Sequence, residues 1–173
     1  MSYVPVPDAP AILVDDGILA VADLHIGLEA ELSEAGVFLP SQTRKIGRRL
    51  RELLETTDSK TLVLLGDVKH FIPAVSPLER RDIPIFFQEI ADAVDEVHIA
   101  AGNHDALLRP YVPESVNIHK PPGFRLGDAG FVHGHAWPAK EVMAANVLIM
   151  GHNHPAVVFV DKLGGKKIGR AHV

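Results

Sequence analysis

Five short polar motifs constrain this chain more than any other feature, because each stands where an apolar run stops. They are Asp23-Leu24-His25, Gly66-Asp67, Gly102-Asn103-His104-Asp105, His133-Gly134 and Gly151-His152-Asn153-His154. Strands that are apolar on both faces lie in the middle of layered α/β folds. Ligands in such folds gather beyond the carboxyl ends of those strands. Polar side chains from distant parts of the chain are therefore expected to converge on one sheet edge.

The intervening sequence supplies the elements. Residues 12–14 and 18–22 flank Asp15-Asp16-Gly17, a hairpin signal. Over residues 41–55 apolar positions fall at Ile46, Leu50, Leu53 and Leu54, which predicts a helix with Ser41 as N-cap after Pro40. Residues 61–65 and 97–101 read as strands and 83–94 as a helix. Residues 156–160 and 166–168 read as a last hairpin turning at Gly164-Gly165, and the ending 169–173 does not read as a strand. The Pro-rich stretches 72–84 and 109–122 read as long loops, which often carry recognition. Helices come early and strands crowd together late, the pattern of an α/β sandwich with mixed sheets. A chain of 173 residues, 47% hydrophobic, is expected to form a single domain over 1–173 with a sizeable core.

In an extended segment residues i and i+2 point the same way. Asp23 and His25 can then grip one ion, and His152 and His154 can grip one site or two adjacent ones. Asn103 offers a neutral oxygen suited to a harder ion such as Mn²⁺, while the His nitrogens suit Mn²⁺, Fe²⁺, Zn²⁺ or Ni²⁺, so the sequence does not choose among them. The inventory suits two metal ions sharing one carboxylate, an arrangement that hydrolyses phosphate esters. Cysteine is absent, which excludes thiolate sites, and ten His is a high count. The net charge of −5 gives no bulk attraction to nucleic acid, so any such site needs a local basic patch. No window approaches the ~18–20 apolar residues of a membrane span. The first ten residues lack a charged and an apolar region of the signal-peptide kind, so a cytoplasmic location is expected.

With all five motifs in order, from about Val21 to Pro155, the chain resembles the calcineurin-like metallophosphoesterase superfamily. The resemblance implies a four-layered α/β/β/α sandwich and two divalent metals about 3.5–4 Å apart. Carried over motif by motif, Asp23, His25, Asp67 and His154 would hold the first metal. Asp67, Asn103, His133 and His152 would hold the second, with Asp67 bridging. A metal-bridging hydroxide would attack phosphorus in line. His104 would assist the leaving alkoxide, and Asp105 would orient its ring. His70 and His135 would stand behind the ligands or on the substrate side. Gly66-Asp67-Val68-Lys69-His70 is similar to the DNA-repair nuclease branch, and Ala22-Asp23-Leu24-His25-Ile26-Gly27 to small relatives of that branch. The resemblance thus implies a phosphodiester substrate, DNA or RNA among the candidates, and a homodimer of the kind small members form. Within these 173 residues no room is expected for the branch's additional DNA-capping domain. It also stops soon after His154, so the sandwich edge is expected to be short or the chain truncated.

Two other activities use the same ligands: a phosphomonoesterase, which would want an Arg-rich pocket (Arg80, Arg81, Arg109 and Arg125 are candidates), and a metal-binding scaffold without turnover. Arg44, Lys45, Arg48 and Arg49 group away from the apolar stripe of the 41–55 helix, as a solvated face or, less simply, a nucleic-acid track. Trp137 is expected against the sheet edge, with base stacking as the sharper alternative. His98 is expected to be structural, and His119 and His172 solvent-exposed.

Overall fold

The computed structural model describes residues 2–14, 17–154, 156–162 and 164–170. The elements run β1 (Tyr3–Pro5), β2 (Ala11–Val14), β3 (Ile18–Val21), α1 (Leu28–Glu34), α2 (Thr43–Thr56), β4 (Thr61–Leu64), α3 (Pro77–Ile90) and β5 (Glu96–Ala100). A 3-10 turn at Arg109–Tyr111 follows. Then come β6 (Asn117–His119), β7 (Phe124–Leu126), β8 (Ala129–Val132), α4 (Lys140–Met143), β9 (Val147–Met150), β10 (Ala156–Val160) and β11 (Lys166–Arg170).

Strands β1 to β6 form one sheet in chain order. The pairs β1–β2 and β2–β3 are antiparallel, and β3 to β6 are parallel. Period-two alternation divides the side chains of β3, β4 and β5 between two cores. Leu19, Val21, Leu62, Leu64, Val97 and Ile99 pack with Leu50 and Leu54 of α2 and Ile83, Phe86 and Ile90 of α3. Ala20, Val63, Leu65 and Ala100 face the other way, onto Phe124, Ala129, Phe131 and Ile149 of a second sheet. That sheet has the order β7–β8–β9. The outward Gly130 of β8 lies against Val142 of α4, where a Cβ would meet the Val142 carbonyl at 2.8 Å. The layers are therefore α/β/β/α, with the outer helical layer reduced to one turn. β10 and β11 pair as a separate two-stranded ribbon.

Several expectations are corrected. α3 begins at Pro77, inside the stretch expected to be a loop, and ends at Ile90 rather than 94. The physical reason is a capping box: Ser76 Oγ accepts the Glu79 N–H, Glu79 accepts the Ser76 N–H, and Pro77 opens the helix with a preset φ. The N-cap position of α2 is Gln42, whose side chain makes no cap bond, and not Ser41, whose hydroxyl accepts the Thr43 N–H at 3.3 Å and donates to Asp82 on α3 at 2.5 Å. The 109–122 stretch contains the 3-10 turn and β6. β11 takes in Gly169 and Arg170, because they complete the pairing with Ala156 and Val157. Asp15 and Asp16 of the first hairpin, and residues 171–173, lie outside the described residues. Among the described residues no helix is long and apolar enough to cross a membrane.

Candidate metal centre

All five motifs sit where β3, β4, β5, β8 and β9 end, and these ends point to one edge. Beyond the strands the chain stays zipped. The Asp23 N–H donates to the Gly66 carbonyl at 3.2 Å, His25 to Asp67 at 2.8 Å, Ile26 to Val68 at 2.9 Å and His70 to Ile26 at 3.1 Å. Two loops that would otherwise flex are thus fixed to each other. Their direction is bought with strain. Asp23, His25, Asp67 and His152 hold φ values of 53, 44, 50 and 63°, a region that costs a non-glycine residue about 1–3 kcal/mol. Strain concentrated on four expected ligands marks a site whose geometry matters more than its local stability. Close approach does the rest. A Cβ on Gly66 would meet His133 Nδ1 at 2.5 Å, and one on Gly102 would collide with the Asp67 carboxylate.

The donor atoms form three groups; one is His25, His70 and His104, which shares His25 with a second, and the other two flank Asp67. Asp23, His25 and His154 bring one donor each to within 4.8 Å of one another, and so do Asp67, His133 and His152. Asp67 Oδ1 accepts the His104 N–H at 3.0 Å. Oδ2 is left between the sets, 3.8 Å from His25 Nε2 and 3.3 Å from His133 Nε2. Asn103 Oδ1 lies 3.2 Å from the same His133 nitrogen. Buried His133 is turned by a hydrogen bond from Nδ1 to the Leu65 carbonyl at 2.7 Å, which points Nε2 at Asp67 and Asn103. Imidazole and carboxylate donors in this number suit divalent transition ions, so the residues fit the metals that the donor pattern implies.

The electrostatics divide: burial opposes a charged His133 ring, but its bonds to Asp67 and the Leu65 carbonyl raise its pKa above the ordinary 6.5. Burial alone would push the Asp67 carboxyl up, but hydrogen bonds from His133 and the His104 N–H hold it at about 2. Burial lowers His25 to about 4, so its ring is neutral and able to bind a cation at neutral pH. Asp23 is raised by burial despite nearby His133 and the His152 N–H.

The remaining expected residues divide. His104 Nδ1 donates to the His70 carbonyl, which presents Nε2 to the centre, 4.0 Å from Asp67 Oδ2. Asp105 does not touch the His104 ring. Its buried carboxylate accepts backbone N–H groups from Val68 at 2.8 Å and Gly102 at 2.8 Å, clamping the loops after β4 and β5 together. His70 lies behind His25, with the two Nδ1 atoms 3.3 Å apart. Exposed His135 stands with its ring centroid 5.2 Å from that of His133 and outside both donor sets. His98 is structural, as expected, but His119 is half-buried. It pairs with His98 at 2.9 Å and stacks on Phe124 at 3.7 Å. Trp137 is 89% exposed and does not pack on the sheet edge.

Three supporting residues escaped the sequence reading. Glu31 on α1 holds His70 Nε2 at 2.5 Å. Glu79, fully buried, accepts the His70 and Phe71 N–H groups at 2.8 and 2.6 Å. Lys69, also fully buried, donates its ammonium to the Phe71 and Ala74 carbonyls. Only Glu79 carried a signal, the Ser76-x-x-Glu79 spacing of a capping box.

A family model described as calcineurin-like phosphoesterase matches residues 17–165. Among solved structures, the nuclease MPE of Pseudomonas putida matches with a TM-score of 0.53 and 23% identity, over 90% of this chain and 75% of that chain. That likeness supports the fold. No curated protein matches the chain at a significant level.

Proposed function

The chain belongs to the calcineurin-like phosphoesterase family, and from that premise we propose that it hydrolyses phosphodiester bonds at a centre of two divalent ions, Mn²⁺ the first candidate. The observation that carries this reading is Asp67 Oδ2 standing between two donor sets. Bound there, the ions would supply charge for the phosphoryl oxygens and an acidified water as nucleophile. The chain's own residues do the rest. Asp67, held ionised, joins the sets. Asp23, His25 and His154 form one, and His133 and His152 with Asn103 form the other. His104, with Nδ1 committed to a carbonyl, keeps Nε2 for the proton of the leaving alkoxide.

A diester is favoured over a monoester by the fate of the arginines. Arg109 is spent on the Val112, Pro113 and Val116 carbonyls, Arg125 on those of Gly127 and Glu141, and Arg81 on Asp82. Arg80 donates to the Val75 carbonyl at 3.2 Å. Each of the four thus already has a partner. The nuclease among the structural neighbours supports nucleic acid as a substrate class for this chain. The test is hydrolysis of bis-p-nitrophenyl phosphate against p-nitrophenyl phosphate in Mn²⁺. Faster diester cleavage is expected. Faster monoester cleavage would move the protein to the phosphatase activity, and two bound ions without any turnover would make it a scaffold.

A further inference from the structure

A cleft of about 320 Å³ opens between the first turns of α2 and the carboxyl end of β3. Its position follows from topology. α2 connects the parallel strands β3 and β4, so it runs back against them and begins at the edge that carries the donor sets. Leu24, Ile46, Leu50 and Leu53 line its apolar side. Asp23, a member of the first donor set, forms part of its wall, and Lys45 and Arg49 complete the lining.

The charges of α2 are not alike. Arg44 is paired with Glu89 at 2.7 Å and Arg51 with Glu55 at 2.9 Å. Among the described residues Lys45, Arg48 and Arg49 have no acidic partner. Arg49 gives one bond to the Asp8 carbonyl at 2.8 Å and Arg48 one to the Arg44 carbonyl at 3.3 Å. Of these three, Lys45 and Arg49 line the cleft and Arg48 does not. Two cations one helical turn apart, about 5–6 Å between their Cβ atoms, thus stand over an apolar pocket that reaches a metal ligand. In a chain of net charge −5 this is the local basic patch a polyanion needs.

We infer that this cleft holds the nucleoside next to the scissile phosphate of a nucleic-acid strand, with the following phosphate on Lys45 and Arg49. The inference rests on the phosphodiesterase reading. The cations select the occupant. A phospholipid diester spends its single backbone phosphate at the metals and leaves both cations unused. A nucleic-acid strand carries a second phosphate one nucleoside further on.

The test uses the Mn²⁺-loaded protein with bis-p-nitrophenyl phosphate, with the dinucleotide TpT, and with TpT carrying a further phosphate at its 5′ or 3′ end. The further phosphate should lower KM about tenfold at one of the two ends. Lys45→Glu and Arg49→Glu should erase that advantage, while Arg48→Glu, with the same charge change on the same helix, keeps it. Binding of a fluorescent oligothymidylate gives a second readout. Each of the two cleft variants should lower the slope of log K against log salt by about 0.7. Equal KM for TpT and its phosphorylated forms, with all diesters turned over, overturns the cleft and leaves the diesterase standing. Equal losses in Arg48→Glu also overturn it, because the effect is then diffuse charge. A lysophospholipid diester cleaved with lower KM than the dinucleotides overturns the occupant. No turnover of bis-p-nitrophenyl phosphate fells the diesterase reading and the inference with it.

Discussion

The two donor sets meet at Asp67 but are supported in different ways. In the second set His133 is 3% exposed and its ring is turned by the Leu65 carbonyl, part of a backbone fixed at the end of a central strand. In the first set His25 leans on His70, which leans on Glu31 of α1, and His154 is exposed. α1 itself is lightly anchored: its N-cap is Gly27 without a side-chain bond, and Glu29 is its one buried residue. A carbonyl at a strand end cannot rotate away, whereas a relay of two side chains can. Preorganisation therefore favours the second set. It should hold its ion more tightly, and the first set should exchange.

The largest effect that would break this contrast is Asp67→Asn. The shared oxygen serves both sets, so both ions should weaken and kcat/KM should fall by about a thousandfold or more, several kcal/mol of barrier. Loss of one ion alone, measured by metal content after dialysis, would show that Asp67 is not shared. His104→Gln comes next. It should lower kcat on diesters with poor leaving groups by about 10²–10⁴-fold and leave metal content unchanged, which separates proton transfer from ion support. The contrast itself is sharpest in the pair His133→Ala and His154→Ala. Competition with a chelator should show the second ion weakened by more than about 100-fold and the first by about tenfold. The reverse order would mean that burial does not set affinity here. Glu31→Gln should weaken only the first ion, by about tenfold, through loss of the His70 anchor.

The smallest effect is a control at a residue that belongs to neither set. Asp82 accepts from Ser41 and Thr43 on the α2 side and from Arg81. Burial opposes its ionisation, but these bonds hold its carboxyl below the ordinary value of 3.8. A depressed folded-state value stabilises fully above 3.8 and is lost as pH falls below it. Asp82→Asn should therefore cost about 1–2 kcal/mol at pH 7 and progressively less at acid pH, read from chemical denaturation. Ion affinities at neutral pH should stay as in the parent protein.

The same contrast explains what could be read in the sequence. β3, β4, β5, β8 and β9 end in polar residues that must leave a buried run, and that change of polarity is visible without coordinates. The convergence of these residues on one edge was legible for this reason. β1, β6 and β7 are three residues each, too short for any period to show. α1 lacks both an apolar stripe and a cap, and with it Glu31 was lost. The start of α3 was written in Ser76, Pro77 and Glu79, but the proline-rich stretch outweighed the capping box. The role of Asp105 was misassigned because sequence adjacency to His104 says nothing about direction. Its carboxylate turns away from the ring to the Val68 and Gly102 N–H groups. Support that comes from backbone groups of other loops leaves no mark in local sequence.

In the proposed centre one carboxylate oxygen, Asp67 Oδ2, would serve two ions. Electron paramagnetic resonance of the Mn²⁺-saturated protein tests it most directly. Two Mn²⁺ per chain with the signal of an exchange-coupled pair is the predicted result, and Asp67→Asn should abolish the coupling. One ion per chain, or two ions that show only uncoupled signals, would contradict the shared centre.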